Sequence, residues 1–337
     1  MRKPLYYLLS VIALMATLNS CTERNSVGSI VQQYKNNKIS EDSLLNYLSD
    51  STNYKASLEW ANSHKENDVA FFILGRAYGR GLGVAKNLFL SKANYLKAIE
   101  MGNNRSKQDL AVIYCDPGCE DLDSAYYWFS EAAKNGFADS FFGMATIDAL
   151  IRQNKNLPID KIKYTNWIKQ GHGKGSVICT TELAKNYLSG FGVQKNSKKA
   201  YELLISLPDE KLDAEALFVL GKMFENGDGA PQNFNKSTSY FKRSSDKGNT
   251  NATCQLGVCY QMGQGVEQSD SLAFSYYKKA ANDGNAWGQR NVSTCYIEGI
   301  GTEVNLSKGF EWVKMAAKNG DEVAIEYCEE KRLNYKE

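Results

Sequence analysis

Between residues 69 and 321 the apolar positions return at steps of three and four, and the phase of that return restarts about every 36 residues. Around residue 256, Leu256, Cys259-Tyr260 and Met262-Gly263 fall on one helical face. Gly263 and Gly265 then end the helix and permit the left-handed backbone of a tight turn. A second helix, capped near Asp270-Ser271, carries Phe274, Tyr277 and Ala281 on its buried stripe, and Gly284 closes it. A lone hairpin of this kind leaves apolar surface in water, so the pattern predicts hairpins that stack.

The frame recurs in register. One step on, Tyr296, Gly299, Gly301 and Gly320 take the places of Tyr260, Gly263, Gly265 and Gly284. One step back come Leu220-Gly221, Phe224, Gly227, Gly229 and Gly248. Leu183, Tyr187, Gly190, Gly192 and Val193 open another copy. So do Leu74-Gly75, Tyr78, Gly81, Gly83 and Val84, with Ala98 and Gly102 at its end. Two degenerate copies lie between, at about 103–136 and 137–171, where residues 115–120 and 153–158 replace the glycine turns.

These residues resemble the Sel-1-like repeat, a relative of the tetratricopeptide repeat. Its pattern is Leu-Gly-x-x-Tyr-x-x-Gly-x-Gly-Val, then Ala-x-x-Tyr/Trp-Tyr/Phe-x-x-Ala-Ala and a terminal glycine. The match covers about three quarters of the chain. The resemblance implies an all-α fold, a right-handed α-α superhelix of about seven helix-turn-helix repeats, whose concave face binds a protein or peptide. Its specific feature is the Gly-x-Gly-Val turn, which tetratricopeptide repeats proper lack.

The rest of the chain divides around this array. Residues 1–20 read as a lipoprotein signal peptide, 21–40 as a tether, 41–68 as an N-terminal helical cap and half repeat, and 322–337 as a C-terminal capping helix. Arg2 and Lys3 start the signal, and an apolar run from 5 to 18 follows, too short to span a bilayer comfortably. Leu18-Asn19-Ser20-Cys21 resembles a bacterial lipobox, with Asn19 a departure from the usual small or apolar residue. That resemblance implies an acylated Cys21 holding the chain to an envelope membrane. Acyl chains contribute about 0.8 kcal/mol per buried methylene, so several on one residue hold firmly. Thr22, rather than an Asp, implies the outer membrane; the periplasmic or surface face stays open.

Charge then narrows the partners. Of 40 basic residues, Arg2 and Lys3 leave with the signal, so the mature chain is close to neutral against 38 acidic ones. With no basic tract, nucleic acid is a poor partner, and an anionic lipid surface gains nothing. Seven cysteines follow Cys21. The Pro-Gly turn of Cys115-Asp116-Pro117-Gly118-Cys119 makes Cys115 and Cys119 the candidate disulfide. The others stand at small apolar positions of the repeat and read as buried thiols. No metal site is expected, because paired Cys-x-x-Cys motifs are missing and His64 and His172 are the only histidines.

Catalytic motifs find little support. Ser239-Tyr-Phe-Lys242 and Ser275-Tyr-Tyr-Lys278 both match the Ser-x-x-Lys of penicillin-interacting enzymes, but they sit one repeat apart, as a structural consensus does. Gly171-His-Gly-Lys174-Gly-Ser176 lacks the order of a phosphate loop. No cofactor is expected. What remains is surface: one residue past the Leu-Gly pair the side chain varies, and Arg76, Lys185 and Lys222 are candidate contacts for a partner's acidic groups or chain ends. Their alternative role is that of ordinary solvated charges. The sequence thus points to a non-catalytic, lipid-anchored scaffold or adaptor. A cell-wall-active envelope enzyme, or a surface or secreted effector that binds host proteins, stands as the alternative.

Overall fold

A computed structural model describes residues 26–335. The signal segment and Cys21 lie outside the described residues, which are helical throughout their regular structure, with no strand. The chain divides after Leu157 into two units. The first holds α1 (Val27–Lys35), α2 (Glu41–Ser49), α3 (Tyr54–Ser63), α4 (Asp68–Arg80), α5 (Leu88–Glu100), α6 (Arg105–Tyr114), α7 (Leu122–Lys134) and α8 (Ser140–Asn154). The second begins with α9 (Lys161–Gly173), α10 (Val177–Ser189), α11 (Ser197–Ile205), α12 (Ala214–Asn226) and α13 (Phe234–Asp246). It continues with α14 (Thr250–Met262), α15 (Asp270–Asn282), α16 (Ala286–Glu298), α17 (Leu306–Lys318) and α18 (Glu322–Glu330).

Consecutive helices pair as hairpins: α4 with α5 and α6 with α7 in the first unit, then α10–α11, α12–α13, α14–α15 and α16–α17 in the second. Each glycine of the turn does a different job. The first, such as Gly263 (φ +66°), takes the left-handed C-cap and returns its N–H to the Cys259 carbonyl. The second is pressed against the preceding hairpin. A Cβ on Gly192 would stand 2.0 Å from the Lys161 carbonyl oxygen, and one on Gly301 would stand 2.0 Å from that of Asp270. The turn is therefore also a contact between neighbours.

The glycine of each Leu-Gly pair is a notch for a ring. A Cβ at Gly221 would lie 2.5 Å from Phe241, and one at Gly257 2.5 Å from Tyr277, with Gly75 and Tyr95 likewise at 2.7 Å. In the α10–α11 hairpin the aromatic is replaced by the buried Leu204, and the notch is filled by Ala184. Second helices open on Asn, Ser or, in α7, Asp: Asn87 accepts from the Leu90 N–H at 3.0 Å, Asp121 from that of Ser124 at 2.9 Å and Ser269 from that of Leu272 at 3.3 Å. The cap thus falls one residue before the expected Asp270-Ser271, and Asp270 instead sits in the first turn, where its charge faces the helix dipole.

Two expectations need correction. The stretch 21–40 is not simply a tether, because residues 27–35 form α1 and bury Val27 and Val31 in the core of the first unit beside Leu44, Phe72 and Tyr95. Lys35 pairs with Asp68 at 2.7 Å and fastens α1 to α4. Burial would raise the Asp68 carboxyl, but hydrogen bonds from Lys35 and Asn103 outweigh it and hold its pKa below the ordinary value. Cys115 and Cys119 are free thiols. The Cys115 Sγ turns back to the Ala111 carbonyl at 3.2 Å, while Lys92 Nζ approaches Cys119 Sγ at 3.4 Å. The loop is closed instead by Lys86 on Asp116 at 2.6 Å, with Glu120 at φ +40°.

Candidate functional site

Within each unit the first helices of successive hairpins touch one another directly, α4 on α6, α10 on α12 and α14 on α16. They form the inner face of the stack. The repeat register lays their residues out in rows. One row in the second unit reads Ile178, Glu215, Asn251, Trp287 and Val323; the next towards the turns reads Lys185, Lys222, Val258 and Thr294; the last reads Ser189, Asn226, Met262 and Glu298.

Side-chain bonds stitch these rows from repeat to repeat. Lys185 bridges Glu182 of its own helix at 3.1 Å and Glu215 of the next at 3.2 Å. Glu225 receives Lys222 and, from the following helix, Gln255 at 2.6 Å. Asn285 reaches Asn251 at 2.7 Å, Asn291 reaches the Cys254 sulfur at 3.3 Å, and Arg290 clasps Asp321 at 2.9 Å. Between them, apolar side chains remain in water: Met262 is 61% exposed and Val323 56%, with Ile178 also exposed.

The three cations singled out in the sequence are thus not equivalent, and none is held in reserve. Arg76 is buried, at 5% exposure, and is corrected from a partner contact to a core residue. Its guanidinium donates to Ser49 Oγ at 2.9 Å and lies 3.8 Å from the Asp109 carboxylate. Burial and then the Arg80 charge lower its pKa, and Asp109 opposes them. Lys185 and Lys222 are half-exposed but already neutralised by glutamates. Burial works against the Lys185 ammonium, yet Glu182 and Glu215 outweigh it and raise its pKa. The i,i+3 spacing of Glu182 to Lys185 and Lys222 to Glu225 was the available signal for this pairing. The sequence reading missed Glu225 as a junction.

Other candidate chemistry separates in space or is spent. Ser239 and Ser275 are exposed, and Lys278 lies over the Trp312 ring at 4.3 Å. His64 stacks on Trp60 at 4.6 Å, and His172 meets Thr180 Oγ1 at 2.9 Å. Burial pushes the Cys254 and Cys295 thiols up to about 12, which makes them poor nucleophiles. Among the described residues no group of three His, Cys, Asp or Glu is placed to hold a metal ion.

Glycine-turned hairpins bonded in register along their first helices decide the relationship. The Sel1 repeat profile matches residues 72–103, 113–137, 178–206, 214–249, 250–285 and 288–321, more than half of the chain and one match per hairpin. The chain belongs to the Sel1 repeat family. The fragment 137–171, expected as a further Sel1 copy, is not matched, and supplies α8 to one unit and α9 to the other. Over 159 residues the chain is 31% identical to the Sel1-repeat-containing protein YjcO of Escherichia coli K12, across 45% of this chain and 66% of YjcO, just under two thirds of that relative. A Sel1 repeat protein of Oxalobacter formigenes has a similar fold, with TM-score 0.57 at 22% identity over 94% of this chain and 90% of that one. So does c5321, a protective antigen of uropathogenic Escherichia coli, with TM-score 0.53 at 23% identity over 88% and 65% of the two chains. Sel1 repeat proteins are generally protein-interaction scaffolds and typically non-catalytic.

Proposed function

We propose that this chain is a lipid-anchored adaptor of a bacterial cell envelope, tethered through acylated Cys21 and binding another protein along the first helices of its second unit. The observation that carries the reading is the composition of that face. Lys185, Glu215, Glu225 and Arg290 are engaged in inter-repeat bonds, while Ile178, Met262 and Val323 stay in water along it. Apolar side chains rimmed by satisfied polar groups are what a protein partner covers.

Photo-crosslinking in intact cells from position 262 tests the binding. A discrete partner should be captured, and Ile178→Asp should abolish the capture. Capture of nothing, or capture indifferent to Ile178→Asp, overturns the reading. The anchor is tested separately: Cys21→Ala should move the protein from the membrane to the soluble fraction and remove its lipid label.

A further inference from the structure

A second feature lies away from the first-helix face, at the turn edge of the α10–α11 hairpin. One groove is lined by Lys169 of α9, Tyr187 of α10, Lys195 and its turn neighbours, and Lys199 of α11. No aspartate or glutamate lines it. Lys199 Nζ stands 4.8 Å over the Tyr187 ring. Lys169 and Lys195 have no carboxylate within ion-pair distance among the described residues, unlike Lys185 and Lys222 nearby.

The sister hairpins act as internal controls, since the register puts equivalent residues in equivalent places. The positions of Lys169, Lys195 and Lys199 are Ile205, Gln232 and Lys236 one repeat on, then Lys242, Gln268 and Leu272, then Lys278, Val304 and Lys308. The fold does not require a lysine at any of the three, and in the second unit they coincide only here. Three ammonium groups around one groove repel each other, and an anion placed among them relieves that repulsion. The groove also takes in Asn196, the N-cap of the nine-residue α11, so the helix dipole adds to the positive potential.

We infer that this groove is a binding site for a phosphate monoester or diphosphate group. Lysines are point charges that approach from separate directions, which suits a tetrahedral group with two charges and several acceptor oxygens. A planar carboxylate carries one charge and matches a guanidinium fork better. The phosphate belongs either to a soluble molecule or to a lipid headgroup at the membrane surface.

Titration of the full chain with pyrophosphate and with glycerol phosphate, at low salt, followed by NMR or calorimetry, tests the site. Vesicles of phosphatidylcholine with and without phosphatidic acid form the second arm and distinguish the two sources. Lys195→Gln, which copies the sister repeats and so preserves the fold, should weaken binding on the order of tenfold, the loss of one charge-assisted contact. Lys169→Ile should act in the same direction, and Lys236→Gln in the neighbouring hairpin should change nothing. No binding by either arm, or equal weakening by Lys236→Gln and Lys195→Gln, overturns the inference. Neither outcome bears on partner capture at position 262.

Discussion

Ser91 on α5 donates its hydroxyl proton to the carbonyl of Gly75 on α4 across 2.7 Å, with both residues buried. In the last hairpin the two residue types trade helices, and Ser293 on α16 donates to Gly309 on α17 at 2.8 Å. Ser237 occupies the place of Ser91 in the α12–α13 hairpin, yet its buried hydroxyl has no partner. Ser91→Ala should therefore cost about 1 kcal/mol, whereas Ser237→Ala should be neutral or stabilising, because it removes an unsatisfied group. Urea unfolding of the two variants checks this, and a larger loss for Ser237→Ala would contradict it.

The turn glycines divide by what surrounds them. Gly102 has φ +96° and open space around its Cβ position, so Gly102→Ala should lose only the backbone term, about 1–2 kcal/mol. Gly192 has φ +66° and the Lys161 carbonyl 2.0 Å from its Cβ position. Gly192→Ala should therefore cost clearly more than Gly102→Ala, because main chain must shift as well. Thermal melts of both proteins give the order.

The Arg76–Asp109 pair is asymmetric. Asp109→Ala strands a buried guanidinium and should destabilise by about 3–5 kcal/mol. Arg76→Met leaves Asp109 with Arg105 at 3.6 Å and the Tyr95 hydroxyl at 3.4 Å, removes an Nε that has no acceptor, and should cost less. The double variant should recover part of the loss of Asp109→Ala. Equal losses for the two single variants would show that Arg105 and Tyr95 do not compensate Asp109 once Arg76 is gone.

Alkaline pH should weaken the fold. Cys254 keeps its proton until about 12 in the folded chain, while an unfolded thiol ionises near 9. Below pH 9 both states hold the proton and the stabilisation is complete. Between 9 and 12 only the folded state holds it, and stability falls by about 1.4 kcal/mol per pH unit from this thiol. Cys295, also pushed to about 12, acts in the same direction. Unfolding in reductant at pH 8 and 10, with Cys254→Ala as the flatter control, measures the slope. A thiol-reactive dye at pH 8 should label the half-exposed Cys115 and Cys119 well before the five buried cysteines.

The hairpins were legible because parts of one periodic trace, a glycine pair, an aromatic and an alanine pair, recur in phase in most of them. The pairing of Gly221 with Phe241 was not, since it joins residues on different helices and shows in the sequence only as covariation with Ala184 and Leu204. α1 was hidden for a similar reason. Val27 and Val31 are two apolar residues in a polar stretch, and their burial depends on a surface built by α2, α3 and α4. Arg76 was misread because its position is half-exposed at Lys185 and Lys222 in the later repeats, whereas in the first unit Ser49 of α2 meets it and it is buried. Lys169, Lys195 and Lys199 are scattered over thirty residues, and only the fold collects them.

The glycine that presses on the carbonyl of an upstream helix has a consequence for how such a chain is cut or lengthened. Because Gly301 fits only against the start of α15, and Gly192 only against that of α9, the modular piece does not run from one closing glycine to the next. It runs from a second helix through the following turn. Deletions or grafts with seams at that boundary should splice cleanly, while a seam placed between second helix and turn would bring together two surfaces never shaped for one another.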